Sequence, residues 1–161
     1  MLHARSSRVS DFSAEWTLRS LSDADALGAR IAAAISAGDV VALSGDLGAG
    51  KTTLARAILS ALGVREAVTS PTFTLVQRYE LPSFPVSHFD LYRIEQDAEM
   101  EELGLDEALS DGAALIEWPE RAGSRLPSDA LHVQLALFEG GLRRAQLRGP
   151  ARWAVLAEGG H

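Results

Sequence analysis

Apolar residues recur at helical spacing in SDADALGARIAAAIS (22–36), where Leu27, Ile31 and Ile35 share one face. The pattern predicts a helix capped by Ser22, with Asp25 three residues on and Gly38 as its stop. Just before it, EWTLRS alternates and reads as a short strand. VVALS (40–44) is apolar without alternation, as expected of a strand covered on both faces. A second helical pattern follows in KTTLARAILSALG (51–63): Leu54, Ile58 and Leu62 with Ala55 and Leu59 beside them, closed by Gly63. FTLVQRYEL and VSHFDLY, separated by PSFP, read as an antiparallel strand pair. DAEMEELGLDEAL is acidic and helical, and its charges read as a solvated face. AALIEW (113–118) is another buried strand, stopped by Pro119. ALHVQLALF alternates, EGG turns the chain, and LRRAQLRG completes a hairpin.

Strands alternating with helices predict an α/β domain: a mixed, largely parallel sheet flanked by helices, with antiparallel hairpin additions. The expected boundaries are a flexible polar tail over 1–14 and one folded domain over 15–157. Composition changes this picture little: the 161 residues are 47% hydrophobic and 23% charged, ordinary for a globular protein. The formal charge of −7 argues against a chain that grips nucleic acid alone, since phosphate binding calls for a basic face. The chain has no cysteine, which excludes disulfides, thiolate zinc sites and thiol nucleophiles. The N-terminal residues lack a secretory apolar core, and no run approaches the roughly 18 apolar residues of a membrane span. The expectation is a soluble cytoplasmic protein without a membrane partner.

Candidate chemistry begins with an asymmetry. Lysine and arginine together number 15, yet Lys51 is the only lysine. It lies in GDLGAGKTT (45–53), where Gly45, Gly50, Lys51 and Thr52 match the phosphate-binding pattern G-x-x-x-x-G-K-[ST]. Glycines let such a loop turn its backbone N–H groups inward onto phosphate oxygens, and the following helix adds its positive end. Asp46, Leu47, Gly48, Ala49, Gly50, Lys51, Thr52 and Thr53 are thus the expected phosphate cradle. A compact ammonium enters this loop more readily than a wide, forked guanidinium, which explains a lysine in a chain that otherwise uses arginine. Thr52 is placed to offer its hydroxyl to Mg²⁺. The loop also follows a buried strand and opens a helix, the context that a P-loop requires.

Hydrolysis of a nucleotide needs acids beside the phosphates. Two strand-end carboxylates compete for that role, Asp90 in VSHFDLYR and Glu117 in AALIEW, and strand C-terminal ends are where open α/β sheets bind ligands. Thr69, Ser70 and Thr72, around Pro71, form either a nucleotide-sensing switch loop or an ordinary turn. His88 shares a strand face with Asp90 and reads as structural; Trp118 reads as a core or site-wall aromatic. Arg143 and Arg144, in the last hairpin, read as a surface pair, with reach to a phosphate as the alternative.

Four stretches, GDLGAGKTT, SPTFTLV, HFDLYRIE and IEWPER, taken in this order and spacing, resemble the TsaE (YjeE) family. The resemblance covers about Trp16 to Leu147, and HFDLYR with IEWPE carries its specificity. It implies a small P-loop NTPase fold that binds ATP and Mg²⁺ and hydrolyses ATP weakly alone. It also implies a complex with the TsaD and TsaB proteins that makes threonylcarbamoyladenosine on tRNA over repeated cycles, with tRNA met only through that complex. Residue by residue, Thr52 and Glu117 resemble the metal-site pair, Asp90 the acid near the γ-phosphate, and Thr72 part of the switch loop. Asp23 is similar in place to a residue near the adenine, and Arg144 to one approaching the nucleotide. Ser87 departs from the tyrosine common in the family.

Two other readings stand beside this one. A small-molecule P-loop kinase would use Arg121 and Arg125 in a lid, and a non-enzymatic module would use bound ATP only as a switch. A GTPase is disfavoured, because an N-K-x-D signature needs a lysine that the chain has already placed in the loop.

Overall fold

The computed structural model of the chain describes residues 12–66 and 75–157. The chain runs through β1 (Phe12–Leu18), α1 (Leu21–Ala34), β2 (Val40–Ser44), α2 (Lys51–Leu62), β3 (Val76–Tyr79) and β4 (Val86–Asp90). It continues with α3 (Asp97–Glu102), α4 (Leu105–Asp111), β5 (Ala113–Glu117), a 3₁₀ segment at Pro119–Arg125, β6 (Leu131–Leu137), β7 (Arg143–Gly149) and a 3₁₀ segment at Ala151–Ala157. The strands form one sheet in the order β1-β7-β6-β2-β5-β4-β3. The four central strands are parallel, and both margins are antiparallel: β3 on β4 at one side, β6–β7–β1 at the other. The mixed α/β architecture expected from the alternation of strands and helices is therefore present.

β2, β5 and β4 are covered on both faces, which is why VVALS shows no alternation, whereas β6 alternates between buried and exposed residues. On one side Val41, Leu43 and Leu115 pack with Leu27 and Ile31 of α1 and Leu54, Ile58 and Leu59 of α2. On the other, Val40, Ala114, Ile116 and Phe89 pack with Met100, Leu105 and Ala108 of α3 and α4 and with Ala122. α1 and α2 meet where Gly28 has no side chain: a Cβ there would lie 2.6 Å from Ala57 Cβ.

Four local expectations differ from the structure. β1 begins at Phe12, so folded chain extends into the stretch read as a tail over 1–14. α1 is capped by Ser20 rather than Ser22; the Ser20 hydroxyl accepts from the Asp23 N–H. Ser20 can cap because it is extended, while Ser22 is already inside the first turn. α1 also stops at Ala34, with Ile35 as its C-cap, before Gly38 is reached. The acidic stretch forms two helices, because Gly104 between them adopts φ +74.

Topology brings several chain segments to one edge of the sheet. The parallel strands β2, β5 and β4 end there, at Ser44, Glu117 and Asp90. β7 runs antiparallel to β6, so its first residue, Arg143, starts at the same edge. β1 runs antiparallel to β7, which brings Leu18 and the first turn of α1 there as well.

Candidate active site

Beyond Ser44 the chain enters the glycine loop. Gly45 has φ +142, and a Cβ there would lie 2.5 Å from the Leu135 carbonyl oxygen of the neighbouring strand. Gly50 precedes α2 in a left-handed conformation, φ +109, with the Arg143 side chain against it. Only glycine satisfies both the conformation and the close approach. α2 then opens directly at Lys51 without a side-chain cap, leaving its first N–H groups aimed into the loop.

Lys51 folds back into the loop. Its Nζ donates to the carbonyls of Gly45 at 2.6 Å and Asp46 at 2.9 Å. The Trp118 ring covers it, 4.4 Å from Nζ to the centroid. Burial lowers the lysine pKa, and the negative charges of Glu117, Asp90, Glu120 and Asp46 partly offset that effect. The ammonium is thus desolvated and held by neutral groups, which suits it to meet an anion.

Thr52 Oγ1 donates toward both carboxylate oxygens of Glu117, at 3.0 and 3.1 Å, across 65 residues of sequence. Glu117 is buried at the end of β5 and pairs in register with Asp90 at the end of β4. Side chains alternate along a strand, so both acids share the face toward α2 with His88, whose Nε2 lies 2.7 Å from Glu117 Oε2. Asp90 accepts from the Tyr92 N–H at 3.1 Å. Trp118 follows Glu117 with φ 60 and ψ 53. A bulky residue rarely adopts this conformation, least of all before a proline, and it carries the indole over Lys51, with Tyr92 4.8 Å away.

Lys51, Thr52, Asp90, Glu117, Tyr92 and Trp118 line a cleft of about 540 Å³, bounded also by Leu47, Gly48 and Thr53. A second cavity of about 200 Å³ adjoins it beside the first turn of α1. The two share Gly50, Thr53 and Arg143.

The expected site residues therefore fall into four groups. Lys51, Thr52, Thr53, Leu47, Gly48, Gly50, Asp90 and Glu117 converge on the cleft. Asp46 contributes its carbonyl to Lys51, and Ala49 is buried beneath the loop. Arg144 does not enter the cleft: it lies over Phe138 at 4.8 Å and 3.8 Å from Glu15. Arg143, on the opposite face of β7, takes that place, its Nη2 donating to the Gly48 carbonyl at 3.3 Å. Asp23 lines neither cavity, because its carboxylate accepts from the Arg19 N–H at 2.8 Å and serves the helix cap; Ser20, Leu21 and Ala24 line the second cavity instead. Thr72, with Thr69 and Ser70, lies outside the described residues. The arginines suggested for a kinase lid are engaged elsewhere: Arg121 donates to the Ile94 carbonyl at 2.7 Å, and Arg125 pairs with Asp97 at 2.8 Å. Among the described residues no helix is long and apolar enough to cross a membrane.

Comparison with known proteins agrees with this geometry. The model of the family described as "Threonylcarbamoyl adenosine biosynthesis protein TsaE" matches residues 18–144. The chain is similar to the tRNA threonylcarbamoyladenosine biosynthesis protein TsaE of Streptomyces coelicolor, at 46% identity over 68% of this chain and 76% of that protein. It is likewise similar to the TsaE protein of Rickettsia bellii, at 43% identity over 67% of this chain and 76% of that protein. Among solved structures, the crystal structure of YdiB from Bacillus subtilis superposes with a TM-score of 0.76 at 29% identity, covering 91% of this chain and 93% of that one. The match to the family model spans the glycine loop, both strand-end acids and β6, and the chain therefore belongs to the TsaE family.

Proposed function

We propose that the chain is a Mg²⁺-dependent ATPase of P-loop NTPase fold that serves tRNA threonylcarbamoyladenosine biosynthesis. The observation that carries this reading is the bond from Thr52 to Glu117 beside the buried Lys51, at the mouth of a glycine loop. It joins a P-loop hydroxyl to a strand-end carboxylate, the pairing that a nucleotide-bound cation needs.

The residues present fit Mg²⁺. The donors, a hydroxyl and a carboxylate, are hard oxygens. Among the described residues no three His, Asp or Glu converge into a self-sufficient metal site. Mg²⁺ usually takes one or two protein oxygens and completes its shell with phosphate and water. Thr52 and Glu117 would hold it; when bound, it neutralises charge on the β- and γ-phosphate oxygens. Lys51 exchanges its loop carbonyls for phosphate oxygens, and the N–H groups of the loop and of the first turn of α2 orient the chain of phosphates. Asp90, beside Glu117 and facing the cleft, orients the attacking water. Trp118 excludes bulk water from Lys51, which strengthens every charge interaction there. Arg143, between the two cavities, steers the nucleotide's adenosine end toward the second cavity beside Ser20 and Leu21.

The partners in this reading are TsaD and TsaB, with tRNA met through that complex, in the cytoplasm. An acidic ATPase of net charge −7 needs others to supply the basic surface that tRNA requires. The test is ATP turnover by the purified protein, alone and with TsaD and TsaB, with Lys51→Ala as the blank. Stimulation by the partners that disappears in Lys51→Ala is the expected result. Turnover indifferent to partners but raised by a small acceptor would replace this reading with a kinase.

A further inference from the structure

His88 is a polar ring where a core strand would ordinarily carry an apolar one. It is 0% exposed and pairs in register with Leu115, between the buried strand residues Val86 and Phe89. Burying an imidazole in such surroundings is costly unless its nitrogens are bonded. Nδ1 has no partner among the described residues. The ring's polarity is spent on one contact, Nε2 to Glu117 Oε2 at 2.7 Å. A carboxylate oxygen only accepts, so the Nε2–H donates.

That contact constrains Glu117 from the core side, while Thr52 Oγ1 meets the same carboxylate from the cleft side. A glutamate has three rotatable side-chain bonds, and this one lies near an ammonium. Glu117 exerts the largest charge effect on Lys51. Left free, its carboxylate has an obvious alternative, an ion pair with Lys51 that would withdraw both groups from a nucleotide. Instead, among the described residues, Lys51 bonds to loop carbonyls, and Glu117 to Thr52 and His88.

We propose that His88 is a positioning residue, whose Nε2–H bond to Glu117 holds the carboxylate on Thr52 and in place for the nucleotide-bound cation. The proposal rests on the reading of Thr52 and Glu117 as the cation pair. Partners that orient metal ligands in this way typically contribute about 10- to 100-fold in metal affinity.

The test is the Mg²⁺ dependence of binding of the fluorescent analogue mant-ATP, measured apart from turnover. His88→Phe keeps a ring of similar shape and removes the donor. It is expected to raise the Mg²⁺ half-saturation by about 10-fold or more, beyond any loss of binding measured in EDTA. His88→Gln, whose amide nitrogen falls near the position of Nε2, is expected to restore most of the loss. A His88→Phe protein that melts lower yet titrates Mg²⁺ as wild type overturns the proposal, and so does His88→Gln failing as completely as His88→Phe. Should His88→Phe not fold, His88→Asn, whose amide is too short to reach Glu117, provides the same contrast with His88→Gln. Thr52→Ala separates the two levels. If it leaves the Mg²⁺ titration unchanged, the cation-pair reading itself falls; if it shifts the titration and His88→Phe does not, only the role of His88 falls.

Discussion

The Nζ of Lys51 sits 4.4 Å from the centroid of the Trp118 ring, so the cation and the indole form one wall of the cleft. The other two tryptophans, Trp16 and Trp153, are buried and bonded to the carbonyls of Leu156 and Asp129. Trp118 is therefore the natural reporter of the site. Adding ATP to the protein is expected to change tryptophan emission, and Lys51→Ala is expected to abolish the change. Loss of a charge-assisted contact of about 1.5–3 kcal/mol weakens binding by roughly 10- to 100-fold. Trp118→Phe should bind ATP without the signal, which equilibrium dialysis with labelled ATP would check.

Thr52 and Glu117 are expected to act as a unit. Thr52→Ala and Glu117→Gln should each lower turnover, and the double variant should fall little below the worse single one. Groups in one hydrogen-bonded pair typically couple by about 0.5–3 kcal/mol. Turnover rates from the four proteins of the cycle test this, and strict additivity would show that the pair is not shared.

Adjacent arginines on β7 should differ sharply. Arg143 lines the cleft, whereas Arg144 lies on the opposite face against Phe138. Arg143→Ala is expected to weaken ATP binding by about 10-fold, the loss of one charge-assisted bond, while Arg144→Ala leaves it unchanged. Calorimetric titration of both variants would decide.

Gly28 is where α1 touches α2. Alanine normally favours a helix over glycine, but here its Cβ would meet Ala57 Cβ at 2.6 Å and the Ala57 carbonyl carbon at 2.8 Å. Overpacking of this kind costs about 1–3 kcal/mol. Gly28→Ala should therefore lower Tm by roughly 3–10 °C in a domain of this size, as read by thermal circular dichroism.

His132 links stability to pH. Burial, and secondarily the charge of Arg148, lowers its pKa in the folded protein. The unfolded chain therefore takes up this proton first as pH falls. The contribution of the neutral ring is complete above the ordinary histidine pKa of about 6.5 and is lost as pH falls below it toward the folded value. His132→Gln should flatten that part of the stability curve in urea titrations at pH 5 to 8.

Periodicity and motif were legible wherever the relevant contacts are local. Leu27, Ile31, Leu54 and Ile58 repeat at helical spacing because a single helix face packs against the sheet. Gly45 and Gly50 stand out because their backbone conformations exclude other residues. Boundaries were less legible. Ser20 and Ser22 are equally good caps by residue type, and which one caps depends on where β1 releases the chain. The break at Gly104 was also hidden, because the residues on either side are good helix formers.

From its sequence alone, the chain's α/β class, its glycine loop, the place of its single lysine, Lys51, in that loop and the candidacy of Asp90 and Glu117 were determined. Each depends on residue type and short-range spacing. Tertiary structure alone decided that Glu117 meets Thr52 across 65 residues, that Arg143 rather than Arg144 faces the cleft, and that His88 Nε2 meets Glu117. Which face a strand residue takes, and which neighbour it meets, depends on sheet order and register, and a one-residue change in register would exchange every such pair.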